Sequence, residues 1–141
     1  MTPTPRSREE EELLRLTLPA LSRAFPDALI LRNEANATTL LLNLVIKTVE
    51  DLGFKALSKP IRETFFRLAA SIRYGLGIGS ADVIVCHQGH FIALEFKAPK
   101  GVQSEEQATW QGWVRRAGGS YHLVRSTQEA IDAVRATPIQ S

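Results

Sequence analysis

Two short apolar runs, separated by four residues that include a glycine, constrain this 141-residue chain more than any other feature. Residues 83–86 and 91–94 are apolar and rich in β-branched side chains, and His-Gln-Gly-His lies between them. Gly89 can adopt the positive φ that a tight two-residue turn requires. This pattern predicts two antiparallel strands joined by a turn at Gln88 and Gly89.

The register of that hairpin determines which polar residues meet at its open end. If His87 pairs with His90, Asp82 lies opposite Glu95, about 5 Å away at Cβ and on the same face of the sheet. Lys97 is two residues beyond Glu95 and therefore shares this face. The pattern predicts two carboxylates and an ammonium group close together, although a strand-end aspartate beside a surface Glu–Lys pair gives the same spacing.

Two carboxylates at this distance repel each other and raise each other's proton affinity. A divalent cation between them removes this conflict, and hard oxygen ligands of this kind suit Mg²⁺ or Mn²⁺. We therefore expect a Mg²⁺ or Mn²⁺ site that contains Asp82 and Glu95.

The order and spacing of the residues around these carboxylates resemble a known nuclease family. Asp82 followed by Glu95-Phe96-Lys97 matches the Asp…Glu-x-Lys signature of the PD-(D/E)xK nuclease superfamily. Further matching residues are Gly79, Ser80, Ala81, Val83, Ile84, Ala98, Pro99, Gly101, Ser104, Gln107, Gly118 and Gly119. With them, the stretch from about residue 73 to residue 131 resembles a VRR-NUC (virus-type replication-repair nuclease) domain.

The resemblance implies metal-dependent hydrolysis of phosphodiester bonds in DNA. It implies that Asp82 and Glu95 bind one or two Mg²⁺ or Mn²⁺ ions, with the backbone carbonyl of Phe96 as a further ligand. Lys97 would orient the attacking water and offset the charge that grows on phosphorus. Gln107 would lie at the edge of the site, near the lysine or the scissile phosphate.

Two of the implied site residues also have a local structural explanation. Ser104 and Gln107 have the spacing of a capping box at a helix N-terminus, and we expect one conformation of Gln107 to fill only one of the two roles. Glu10 lies on the backward projection of the apolar face of a predicted helix over residues 7–24, where superfamily members often carry a metal-binding glutamate. The alternative for Glu10 is a solvated run of glutamates that favours the positive end of the helix dipole.

The net charge of +2 does not by itself indicate a nucleic-acid-binding protein. Four residues are candidates for contact with DNA: Asn33, Arg67, Arg73 and Lys100. Asn33 belongs to an Arg-Asn pair similar to one in VRR-NUC proteins, although it can equally end a strand by bonding its own backbone. Arg67 and Arg73 belong to a basic stretch that also fits a solvated helix face.

The order of predicted elements indicates one α/β domain over residues 1–141, with a mixed central sheet flanked by helices. The resemblance implies that its core is restriction-endonuclease-like. Residues 37–63 are predicted to be a helical insertion after the first strand. The helix after residue 104 is predicted to be a crossover that makes the strands on either side of it parallel.

Several other classes of function are not favoured. A strand rather than a helix follows the glycines at 75–79, so no nucleotide cofactor is expected. The chain has no apolar segment of membrane-spanning length and no apolar signal core, so a cytoplasmic location in a bacterial cell or phage-infected host is the default expectation, with no membrane partner.

The expected partner is DNA, branched or of the Holliday-junction type by analogy with the family. Two symmetric nicks in such a junction would need a homodimer with two sites. Two alternatives remain. One is a nuclease-fold protein that binds nucleic acid without cutting it, and the other is a small α/β interaction or scaffold protein in which the motif is a coincidence.

Overall fold

The computed structural model describes residues 6–33, 37–53, 59–61, 63, 64, 67, 76, 77 and 79–138. These residues form two compact units: one contains residues 6–33 and 79–138, and the other contains the described residues between 37 and 77. The helices and strands are α1 (Arg8–Ala24), β1 (Leu29–Arg32), α2 (Ala37–Asp51), β2 (Val83–His87), β3 (His90–Phe96), α3 (Glu105–Arg116), β4 (Ser120–Val124) and α4 (Thr127–Arg135).

The first unit is built on a four-stranded mixed sheet in the order β1-β2-β3-β4. The strand pairs β1–β2 and β2–β3 are antiparallel, and β3–β4 is parallel. A parallel neighbour requires a crossover connection, and α3 supplies it. The predicted α/β class, the mixed sheet and the parallel crossover are therefore confirmed.

The β2–β3 hairpin has the predicted turn and register. Gln88 has φ 49° and Gly89 has φ 81°, and two successive positive φ values are characteristic of the tight turn that matches the twist of a hairpin. His87 pairs with His90, and the register continues to Val83 opposite Leu94. Asp82 is the next residue outward from Val83, so it lies at the open end beside Glu95.

The two faces of the sheet bury different side chains. On one face α1 and α4 cover the alternate strand residues Val83, Val85, Ile92, Leu94 and Phe96. On the other face Trp110 and Val114 of α3 cover a smaller cluster that comprises Ala81, Ile84, Ala93 and Tyr121. Because side chains alternate along a strand, Asp82 and Glu95 point to the α3 face.

The second compact unit contains the predicted helical insertion. The described residues of the range 37–63 are helical except for Leu52 and Gly53, which form a turn after α2. Ile46 of α2 is buried, and Leu44 is exposed. Arg67 is exposed and helical, and Arg73 lies outside the described residues.

Gly79 gives rise to a prediction about stability. Its φ is +80°, and a Cβ at this position would overlap the Glu106 carbonyl group and lie 2.9 Å from the Gln107 nitrogen, both in the first turn of α3. Gly79→Ala should therefore lower the free energy of unfolding by about 2 kcal/mol, since it adds a backbone collision to the cost of a left-handed alanine. Urea unfolding measures this change.

Gly118→Ala is the matched control. Gly118 has nearly the same conformation, φ +86°, but a Cβ there would meet no atom within 4 Å. We expect Gly118→Ala to lower the free energy of unfolding by about 1 kcal/mol, which is the cost of the left-handed backbone conformation alone. If Gly79→Ala and Gly118→Ala lose the same amount of unfolding free energy, the close approach of Gly79 to α3 is contradicted.

Candidate active site

Asp82, Glu95 and Lys97 come together on the α3 face at the open end of the hairpin. Asp82 immediately precedes β2, Glu95 lies in β3, and Lys97 follows the last residue of β3. Both carboxylates are buried, Asp82 with 7% and Glu95 with 2% of its surface exposed. Charged groups are rarely buried to this extent without a partner, so their contacts define what the site can do.

Glu95 has one satisfied and one unsatisfied carboxylate oxygen. Its Oε1 lies 3.1 Å from Lys97 Nζ and also accepts a hydrogen bond from Gln107 Nε2. Its Oε2 is buried and has no hydrogen-bond partner among the described residues. Burial and the neighbouring charge of Asp82 raise the pKa of Glu95 to about 7, although Lys97 lowers it in part.

Asp82 holds three parts of the unit together. Its Oδ2 accepts a hydrogen bond from the backbone nitrogen of Phe96 at 2.8 Å. Its Oδ1 accepts one from Arg6 Nε at 2.7 Å. Its backbone carbonyl accepts one from the Asn33 nitrogen at 2.8 Å, so Asp82 links the N-terminal segment, the end of β1 and the end of β3.

Arg6 is a site residue that the sequence did not indicate. Besides its bond to Asp82, its guanidinium donates to the carbonyl of Asn33 at 3.2 Å and lies 3.7 Å from Glu11 Oε2. Arg6 and Asp82 are 76 residues apart in the chain. No spacing rule connects residues at that separation, so only the packing of α1 on the sheet could reveal the pair.

Gln107 completes a capping box and contacts Glu95 with a single side-chain conformation. Its Oε1 accepts a hydrogen bond from the Ser104 nitrogen at 2.9 Å, which completes the capping box of α3. Its Nε2 simultaneously donates to Glu95. The expected exclusion was wrong, because a side-chain amide has an acceptor at one end and a donor at the other.

The Glu10 carboxylate is occupied by backbone groups. Ser7 caps α1, and Glu10 Oε2 accepts a hydrogen bond from the Ser7 nitrogen at 3.0 Å. Glu10 Oε1 accepts one from the Ala98 nitrogen at 3.1 Å, so this side chain positions the loop that follows Lys97. Its role as a metal ligand remains a prediction.

The described candidates for DNA contact lie in different environments. Asn33 is buried, and its Nδ2 donates to Ser80 Oγ at 2.7 Å and to the Ala81 carbonyl at 2.9 Å. This side chain therefore braces the segment that leads into Asp82. Lys100 is exposed in the loop after β3, and Arg67 belongs to the other compact unit.

The donor set fits a hard divalent cation such as Mg²⁺. Within the described part of the chain, no group of three or more His, Cys, Asp or Glu side chains could hold a metal ion. Two carboxylates are nevertheless a common protein contribution to Mg²⁺, which usually keeps several waters and takes further oxygens from a substrate phosphate. The observation that favours a cation here is that Glu95 Oε2 is buried and has no hydrogen-bond partner in the part of the chain that the structure describes.

Comparisons with protein-family models, curated proteins and solved structures found no match for this chain. Among the described residues, no helix is long and apolar enough to cross a membrane.

Proposed function

We propose that this protein is a Mg²⁺- or Mn²⁺-dependent nuclease that hydrolyses phosphodiester bonds in DNA. The observation that carries the proposal is the meeting of Asp82, Glu95 and Lys97 at one end of a hairpin. One oxygen of Glu95 there is buried and has no partner among the residues that the structure describes. Buried like charges with a raised pKa are a recurrent feature of catalytic sites. We further propose that the sheet is the core of a restriction-endonuclease-like domain of the VRR-NUC type.

Each residue of the proposed site has a separate role. Asp82 and Glu95 would hold the cation, with the Phe96 carbonyl as a further oxygen ligand. A bound Mg²⁺ supplies Lewis-acid activation of the phosphate and of water. Lys97 is close enough to Glu95 to place a positive charge beside the reacting phosphate, where it offsets developing negative charge.

The side-chain amide of Gln107 helps to hold Glu95 in position in the proposed site. This amide is held at one end by the Ser104 nitrogen and presents the other end to Glu95. The first turn of α3 therefore determines the position of a Glu95 oxygen. Gln107 is a positioning residue in this scheme.

Branched DNA of the Holliday-junction type is the proposed substrate, and the family resemblance is its only support. Two symmetric nicks would require two copies of the site, hence a homodimer. Lysine and arginine side chains would bind the phosphate backbone in a salt-dependent manner that is largely independent of sequence.

The test is cleavage of labelled linear duplex, single-stranded, flap and four-way-junction DNA in Mg²⁺ and in Mn²⁺. Glu95→Ala and Lys97→Ala, each checked for folding by circular dichroism, are assayed beside the wild type. Cleavage by the wild type alone supports the proposal, and paired nicks across the junction support the dimeric resolvase. If the folded wild type cuts none of these DNAs in either metal, the nuclease proposal fails, and retained DNA binding would then favour a non-cutting nuclease-fold protein.

A further inference from the structure

The positively charged guanidinium of Arg6, in the N-terminal segment, lies against Asp82, one of the two proposed metal ligands. Arg6 Nε lies 2.7 Å and a terminal guanidinium nitrogen 2.6 Å from the same oxygen, Asp82 Oδ1. The other oxygen, Oδ2, accepts the Phe96 backbone hydrogen bond. Both side chains of the ion pair are largely buried, with 17% of Arg6 and 9% of Asp82 exposed.

We propose that Arg6 is a built-in counter-cation that competes with the divalent metal for Asp82. The inference rests on the proposed function, because it assumes that Asp82 is a ligand of the catalytic metal. In the resting protein the guanidinium neutralises Asp82 and keeps the buried carboxylate satisfied. The metal gains Oδ1 only when Arg6 releases it, so the strength of this ion pair sets the metal concentration that the site requires.

Competition follows from the geometry and charge of the pair. Arg6 Nε donates a hydrogen bond to Oδ1, and a terminal guanidinium nitrogen lies 2.6 Å from the same oxygen. A divalent ion at the same oxygen would also meet a positive guanidinium within contact distance, where the effective dielectric constant is below that of water. Metal and guanidinium therefore exclude each other at Oδ1.

The position of Arg6 in the chain allows the exchange. Arg6 precedes the N-cap of α1, so it can leave Asp82 without disturbing the hydrogen bonds within that helix. Its other contacts are with the Asn33 carbonyl and, at 3.7 Å, with Glu11. Glu11 is already paired with Arg32, whose guanidinium lies 2.6 Å from Oε1, so the released Arg6 guanidinium would join this pair at Oε2.

The test is direct metal binding without DNA. Mn²⁺ titration, followed by the electron paramagnetic resonance signal of the free ion, gives the dissociation constants of the wild type and Arg6→Gln. Arg6→Gln should bind Mn²⁺ about tenfold more tightly, the factor that corresponds to one charge-assisted hydrogen bond no longer broken by the metal. Asp82→Asn in the Arg6→Gln background should abolish this gain, which locates it at the site.

Arg8→Gln is the matched control for charge. Arg8 is exposed in the first turn of α1, so its loss removes the same charge from the same segment without touching the ion pair. The affinity of the Arg8→Gln variant for Mn²⁺ should stay within about twofold of the wild-type affinity, because exposed charges are screened by salt. Equal tightening in both arginine variants, or none in Arg6→Gln, would overturn the inference.

A measurement on the wild type decides the question if Arg6→Gln does not fold. The Nε–H nuclear magnetic resonance signal of Arg6, assigned by its absence from Arg6→Lys, should shift as Mg²⁺ is added. A signal that is unchanged at saturating Mg²⁺ overturns the inference, as does failure of the wild type to bind metal. If Arg6→Gln binds Mn²⁺ more tightly but neither it nor the wild type cleaves DNA, the nuclease proposal is refuted. The proposed competition between Arg6 and the metal for Asp82 would still stand.

Discussion

Replacing Lys97 by methionine should lower the rate constant for DNA cleavage at least about 100-fold, as other electrostatic catalytic groups lead us to expect. The Lys97 side chain is only 12% exposed; methionine keeps most of its apolar stem and removes the charge that lies 3.1 Å from Glu95 Oε1. The fold should persist, because the hairpin register depends on backbone pairing rather than on this side chain. Single-turnover cleavage at saturating DNA separates the chemical step from binding.

The charge of Lys97 also acts on Glu95, and the assay has to separate the two effects. Lys97 lowers the pKa of Glu95, so its loss should raise that pKa further and protonate the proposed ligand near neutral pH. Rates should therefore be compared from pH 7 to about pH 9. A defect that disappears at high pH would assign Lys97 the role of keeping Glu95 ionised, whereas a constant defect supports direct action on the phosphate.

The second large effect concerns stability as a function of pH in metal-free buffer. Between pH 4.5 and about pH 8.5 the wild type should lose about 3 kcal/mol of unfolding free energy relative to Glu95→Gln. The reason is that Glu95 must ionise in a buried position beside Asp82. Urea unfolding of both proteins at a series of pH values gives the difference.

The sign of this effect follows from the direction of the pKa shift. Glu95 has a pKa of about 7 in the folded protein against 4.5 as its ordinary value, so the folded state binds its proton more tightly. Its contribution to stability is complete below pH 4.5 and is lost as the pH rises through 7. Burial lowers the pKa of His122 in both proteins, so its contribution cancels in the difference.

Metal provides a control for the pH experiment. If Glu95 is a ligand, Mg²⁺ at pH 8.5 should restore part of the wild-type stability and leave Glu95→Gln almost unchanged, because only the folded state offers the site. A difference between the two proteins that does not vary with pH would contradict the raised pKa.

The hairpin was predictable in detail because its determinants are local. Gly89 accommodates the turn, and a side-chain period of two then fixes which residues share a face. The same local rules predict that Asp82, Glu95 and Lys97 lie together. The caps of α1 and α3 were also predictable, since Ser7 and Ser104 act on residues within one turn of themselves.

The contacts of these same residues were less predictable. The sequence showed that Gln107 belongs to a capping box, but the simultaneous bond to Glu95 depends on how α3 lies across the sheet. The sequence placed Glu10 on the first helix. However, the Glu10 carboxylate accepts a hydrogen bond from the backbone nitrogen of Ala98, which is 88 residues away in the chain. Local sequence rules predict the capping contact of each side chain but not its second contact, because the partner in that contact belongs to a distant part of the chain.

The α/β class, the hairpin register and the common face of the two carboxylates and the lysine follow from the sequence, because turn geometry and strand periodicity act between near neighbours. The ion pair between Arg6 and Asp82, and the buried Glu95 oxygen that has no partner among the described residues, arise only in the folded protein. Burial and ion pairing between distant segments arise when helices pack on the sheet, and these two properties set the charge, the pKa and the proposed metal affinity of the site.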